Sequence, residues 1–173
     1  MKLRKYIAMT AILALCGVVV PRTAAQDELG RSLRATLKGL NETPANSTPA
    51  TGAFMARISD DDSSITFELT YSGLAADSLF AHIHLGQTNV PGGVMMFFCD
   101  NSATPRSPRN CPARAGTVTG TVTAVDVIGP NAQGIAPGEF AKVLQAIRSG
   151  VTYVNVHSAK FPAGEIRGQV KVN

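Results

Sequence analysis

Ser64-Ile65-Thr66-Phe67-Glu68-Leu69-Thr70-Tyr71 sets the class of this fold. Ile65, Phe67, Leu69 and Tyr71 alternate with Thr66, Glu68 and Thr70. A period of two puts the four apolar side chains on one face of a strand and the polar ones on the other. Just upstream, Asp60-Asp61-Asp62-Ser63 is a turn sequence. Before it, residues 52–58 repeat the alternation with Phe54, Ala56 and Ile58. The two runs predict a hairpin.

The same period continues on both sides. Leu33, Ala35 and Leu37 alternate with Arg34, Thr36 and Lys38, a first half-buried strand. Residues 39–50 hold Asn41, Pro44, Asn46 and Pro49 and read as a loop. Residues 78–85 predict a fourth strand, with Ala81, Ile83 and Leu85 toward the core and His82 and His84 away from it. Val90-Pro91-Gly92-Gly93 is a turn. Residues 94–99 are apolar on both faces, as in a buried strand. Residues 117–125 interleave Val118 and Val122 with Thr117, Thr119, Thr121 and Thr123, a strongly β composition. One segment departs from this pattern. Phe140, Val143, Leu144 and Ile147 follow helical spacing, so residues 138–149 predict a short amphipathic helix between Pro137 and Gly150. Residues 151–158 and 164–172 close the chain. In the second run Ile166, Val170 and Val172 face in, while Glu165, Arg167, Gln169 and Lys171 face out. Together these runs predict a mainly β fold: an immunoglobulin-like antiparallel β-sandwich with one short helix in a crossover connection.

The first 25 residues read differently. Lys2, Arg4 and Lys5 precede an apolar run from 6 to 20, Pro21 ends it, and Thr23-Ala24-Ala25 supplies small residues. That is the pattern of a signal peptide over 1–25, cleaved after Ala25, with a retained N-terminal anchor as the alternative. The run is shorter than the ~20 residues a spanning helix needs. Leu15 before Cys16 is bulky where a lipidation site wants a small residue. Residues 26–32 form a short lead-in and 33–173 one domain, placed in a secreted, periplasmic or extracellular setting.

Export changes the charge balance. The chain has 16 Lys and Arg against 12 Asp and Glu. Lys2, Arg4, Lys5 and Arg22 lie in the signal segment and every acid follows it, so the mature chain is close to neutral. Without a basic excess to displace counterions, nucleic acid is not an expected partner. Arg106, Arg109 and Arg114 cluster in a Pro-rich loop without aromatic interleaving, which reads as solvated. Two cysteines remain, Cys99 and Cys111. An exported context and an even count favour a disulfide between them, worth ~3 kcal/mol.

The three histidines are the main candidates for chemistry. His82 and His84, at i and i+2, share a strand face. On the run 151–158, Tyr153, Asn155 and His157 share a face. If the two strands are neighbours, the imidazoles meet, and three nitrogens with an open fourth position suit copper or zinc. Asn155 or Glu165 is placed to orient an imidazole through its second nitrogen. The alternative is a cross-strand hydrogen-bond network locking the closing strands, with Glu165 and Arg167 in it as an ion pair. The run Asp60 to Ser64 lacks the glycine and distal glutamate of a calcium loop and reads as a solvated turn. Nucleophilic catalysis finds no support: there is no Gly-x-Ser-x-Gly, and adjacent His157 and Ser158 point to opposite faces. Asn41-Glu42-Thr43 and Asn46-Ser47-Thr48 are sequons that matter only in a eukaryotic secretory pathway.

Three stretches together resemble a known family. Leu37 to Pro44, Ala81-His82-Ile83-His84-Leu85-Gly86 followed by Pro91-Gly92-Gly93-Val94, and Gly150 to His157 followed by Phe161-Pro162-Ala163-Gly164-Glu165-Ile166-Arg167-Gly168-Gln169 are similar to the CHRD (chordin-type) domain. The likeness runs from Ser32 to Val172. The loop between Cys99 and Cys111 departs from it, being longer and richer in Pro and Arg. The resemblance implies an extracellular, mostly β, immunoglobulin-like domain and little about chemistry. The expectation is an exported, non-catalytic binding or structural module whose partner is an extracellular protein or polysaccharide. The alternative is a copper- or zinc-binding domain on His82, His84 and His157.

Overall fold

A computed structural model describes residues 30–173. The signal segment and most of the lead-in lie outside the described residues. Among the described residues, nine strands form: β1 (Ser32–Lys38), β2 (Thr51–Ile58), β3 (Ser64–Ser72), β4 (Ser78–Leu85), β5 (Gly93–Asp100), β6 (Gly116–Thr123), β7 (Thr152–Ser158), β8 (Ile166–Gln169) and β9 (Lys171–Val172). Among the described residues, one α-helix, α1 (Phe140–Arg148), lies in the connection from β6 to β7. It buries Phe140, Val143, Leu144 and Ile147, the residues at helical spacing in the sequence.

The strands pair antiparallel in the order β5-β4-β7-β8-β1-β2-β3-β6, with β9 also on β1. The class is therefore mainly antiparallel β with one helix, as expected. The two walls of the sandwich are joined edge to edge where β8 meets β1, at Lys38 opposite Arg167. One sheet thus curls over until β5 and β6 come close, nearly closing a barrel. The curl traps the core. Phe98 of β5 packs on Phe54 and Phe67 of the opposite wall, with ring centroids 4.9 and 4.6 Å apart. Gly168 makes the join possible: a Cβ there would lie 2.5 Å from the Thr36 carbonyl oxygen, closer than a side chain can approach backbone. Cys99 and Cys111 form a disulfide that pins the start of the loop after β5.

The closing strands differ from their predicted exposure. Ile166 and Val170 are in the core as read, and Val172 is half-buried. Glu165 and Arg167, read as outward, are only 0% and 3% exposed. They do lie on the face away from the core, but the segment after β1 folds over that face. Asn41 Nδ2 donates to the Arg167 carbonyl at 3.1 Å and Asn46 Nδ2 to the Glu165 carbonyl at 3.0 Å. Both sequon asparagines thus spend their amides on holding this cover down. Among the described residues, no helix is long and apolar enough to cross a membrane.

Candidate functional site

Strand register assembles the site. β4 lies between β5 and β7, with His82 opposite Phe97 on one side and Asn155 on the other. Asn155 in turn faces Arg167 on β8. One step along, His84 faces Tyr153, and one step back, Phe80 faces His157. Side chains at alternate positions share a face, so the three histidines, Asn155, Tyr153 and Arg167 gather on the face turned from the core. One nitrogen from each imidazole falls within 4.8 Å of the others.

The cluster is buried: His82, His84 and His157 are 3%, 7% and 6% exposed. Aromatic rings wall it in. Phe80 lies over His82 and His157, with centroids 5.2 and 4.6 Å away, and Phe97 meets His82 edge-on at 4.9 Å. Tyr153 stacks on His84 at 4.5 Å, and the Arg167 guanidinium sits 3.3 Å from the centre of the Tyr153 ring. Burial therefore pushes all three imidazole pKa values down, His157 to about 4. The two other imidazoles push His82 further the same way. Near neutral pH the three rings are uncharged, the form that binds metal.

Hydrogen bonds set the tautomers. His84 Nδ1 is 2.8 Å from the Gly92 carbonyl oxygen, and His157 Nδ1 is 2.9 Å from that of Pro162. A carbonyl only accepts, so each Nδ1 carries the proton and each Nε2 is left as a lone pair. His157 Nε2 is buried with no partner, as is His82 Nδ1. His84 Nε2 lies 3.1 Å from Asn155 Oδ1. A neutral His84 donating from Nδ1 brings two acceptors face to face there. That contact is relieved by a cation between them or by turning the Asn155 amide over.

The remaining candidates separate from this cluster. The Glu165 carboxylate accepts from Thr48 Oγ1 at 2.7 Å and from the Ala75 N–H at 2.8 Å, not from an imidazole and not from Arg167. The expected Glu165–Arg167 pair does not form, because Glu165 precedes β8 and turns its carboxylate into the covering loops. Arg167 Nη2 instead donates to the carbonyls of Gln87 and Val90, both at 2.9 Å. Asp61 is held by the Ser59 and Ser63 hydroxyls, and Asp62 by Arg148 at 2.7 Å and Arg31 at 3.2 Å, so the acidic turn is internally satisfied. Arg106 lies over Phe97 at 5.5 Å, Arg109 over Phe67 at 5.3 Å, and Arg114 pairs with Asp77 at 2.9 Å.

Sequence reasoning passed over Glu42. It is 7% exposed, and burial pushes its carboxyl up to about 7 although Arg167 pulls it down. Its Oε1 has no partner. The available signal was its place in the Leu37 to Pro44 stretch, since an isolated acid in a loop carries none of its own.

A family comparison matches residues 33–170 to the CHRD domain. The chain belongs to the CHRD-domain family. CHRD domains occur in extracellular proteins, in keeping with the disulfide of this one. All three histidines, Asn155 and Arg167 lie inside the matched CHRD region, as does the Cys99–Cys111 loop. No curated protein and no solved structure gives a significant match to this CHRD chain.

Proposed function

We propose that this CHRD domain is an exported, non-catalytic binding module that carries one copper or zinc ion on His82, His84 and His157. One observation supports the metal above all. One nitrogen from each of three neutral imidazoles lies within 4.8 Å of the other two, and His82 Nδ1 and His157 Nε2 are buried without a hydrogen-bond partner. A purely structural network would pair its members, since each buried polar atom left unpaired costs about 1–3 kcal/mol. The Gly92 and Pro162 carbonyls orient His84 and His157 through Nδ1, the usual outer support of a metal-bound histidine. Three nitrogen donors leave a fourth position open, and Asn155 stands beside it.

The ion would cross-link β4 to β7 and, through the two carbonyls, tie down the covering loops. Its role is then to stiffen a recognition surface rather than to turn over a substrate. The signal pattern of residues 1–25 supports the exported setting in this reading. Elemental analysis of untagged protein, purified from its own exported compartment, tests it. The expected result is one copper or zinc per chain with an N-terminus at Gln26. Metal-free protein that stays metal-free on addition of either ion overturns the metal assignment and leaves a fold-locking network.

A further inference from the structure

A second candidate site lies on the outer face where the two walls join. An open groove of about 640 Å³ runs across β9, β1 and β8. Arg34, Lys38, Arg167 and Lys171 line it, and no carboxylate does. Such a concentration needs explaining in a chain that is neutral after its signal segment. Elsewhere five cations are ion-paired, Arg31 and Arg148 on Asp62, Arg57 on Asp60, Arg114 on Asp77 and Lys142 on Glu139, and Arg106, Arg109 and Lys160 lie over the rings of Phe97, Phe67 and Phe161. Among the described residues, Arg34, Lys38 and Lys171 have no ion-pair partner. Glu68 is two strands away from Arg34 on the same face, and Glu42 is buried beside Arg167.

Register sets the exposed cations in two places. Arg34 lies opposite Lys171, and Lys38 stands opposite the buried Arg167. The two places are four residues apart along β1, ~13 Å at strand rise. A lone sulfate or phosphate reaches one of them only, whereas an extended polyanion reaches both. The groove has no aromatic side chain on which a base could stack, which argues against single-stranded nucleic acid. Amides and hydroxyls of Asn89, Gln169 and Thr88 at its edge suit sugar hydroxyls.

We infer that this groove binds a linear acidic polysaccharide, bearing uronate or sulfate, with its charges seated on the Arg34–Lys171 pair and on Lys38, all three exposed, while the Arg167 guanidinium stays committed to Tyr153 and the Gln87 and Val90 carbonyls. The inference deepens the reading of the domain as an exported binding module and does not need the metal. Electrophoresis of the full mature chain through gels containing polygalacturonate, dextran sulfate or neutral dextran tests it, with and without zinc. The expected result is retardation in at least one acidic gel and none in neutral dextran. The gel that retards identifies carboxylate or sulfate as the source of charge. Added salt weakens the retardation as counterion release demands, and Arg34→Glu/Lys171→Glu weakens it by ~10-fold or more. Lys142→Glu, the same kind of charge reversal on α1, leaves it unchanged. The inference is overturned by no retardation in either acidic gel, by equal loss in Lys142→Glu, by tighter binding of oligo-dT, or by competition from inorganic sulfate at equal charge concentration. Retardation that appears only with zinc would assign it to the histidine site and overturn the groove as well. Retardation that is the same with and without zinc supports the groove, and failure of the metal reading, seen as protein that takes up neither zinc nor copper, leaves that result standing.

Discussion

The two walls of this sheet treat their outer faces in opposite ways. In the wall β1-β2-β3-β6 the outer face is solvated: Thr66, Glu68 and Thr70 are exposed, and Thr66 and Thr70 bond to Thr121 and Thr117 across the strands at 3.2 and 2.9 Å. In the wall β5-β4-β7-β8 both faces are covered, and every residue of β7 is buried. The first wall follows the ordinary rule for an antiparallel sheet with one wet face. The second carries polar residues where that rule puts them and then seals them under loops. Desolvated imidazoles, a carboxyl pushed up to about 7 and a guanidinium stacked on tyrosine are the result. The polar residues of the solvated wall are free to vary, whereas those of the covered wall are fixed by partners and by burial.

This contrast predicts a graded set of effects. The largest belongs to the core that both walls share. Phe98→Ala removes a ring that is 1% exposed and touches the opposite wall, so urea unfolding should show a loss of ~4 kcal/mol. Next is Arg167→Met. It leaves the Gln87 and Val90 carbonyls without their donor and Glu42 without its nearby cation, for an expected loss of ~3 kcal/mol. An effect below 1 kcal/mol in that variant would mean that the covered face is no more constrained than the open one.

A smaller effect appears in the pH dependence of metal-free protein. His157 is pushed down to about 4 from its ordinary 6.5, so the folded chain binds fewer protons than the unfolded one between these values. Its contribution is complete above pH 6.5 and is lost as pH falls toward 4. Glu42 is pushed up to about 7 from 4.5, so its contribution is complete below pH 4.5 and is lost as pH rises toward 7. The two slopes oppose each other. Glu42→Gln removes the second, and the fall in stability from pH 6.5 to 4.5 should steepen by ~2 kcal/mol relative to wild type. An unchanged slope in that variant would place Glu42 in contact with solvent. Smallest of all is Thr70→Val on the solvated wall, expected to shift unfolding by less than ~0.5 kcal/mol.

The same contrast separates what was legible in the sequence from what was not. Strands with one wet face declare themselves, because water selects polar residues at every second position. The runs containing Phe54, Phe67 and Val118 were readable for that reason, as was the helical stripe of Phe140, Val143, Leu144 and Ile147. The outward direction of His82, His84, Asn155 and Arg167 was readable in the same way. Their burial was not, because it comes from contacts distant along the chain, such as Asn41 to the Arg167 carbonyl, 126 residues away. Strand order was equally hidden, and with it the join at Gly168 and the pairing of Arg34 with Lys171. Glu42 and Glu165 show the limit most clearly. Local pattern offered Glu165 to Arg167 or to an imidazole, and the covering loops gave it Thr48 and Ala75 instead.

The account turns on the covered face being a metal site. Calorimetric titration of zinc and of copper(II) into untagged, metal-stripped protein measures that directly, with His82→Ala alongside and its fold checked by circular dichroism. The account predicts one ion per wild-type chain, and for His82→Ala an affinity lower by more than the ~10–100-fold that loss of an outer hydrogen bond costs. Wild-type binding no tighter than that of a folded His82→Ala would contradict it.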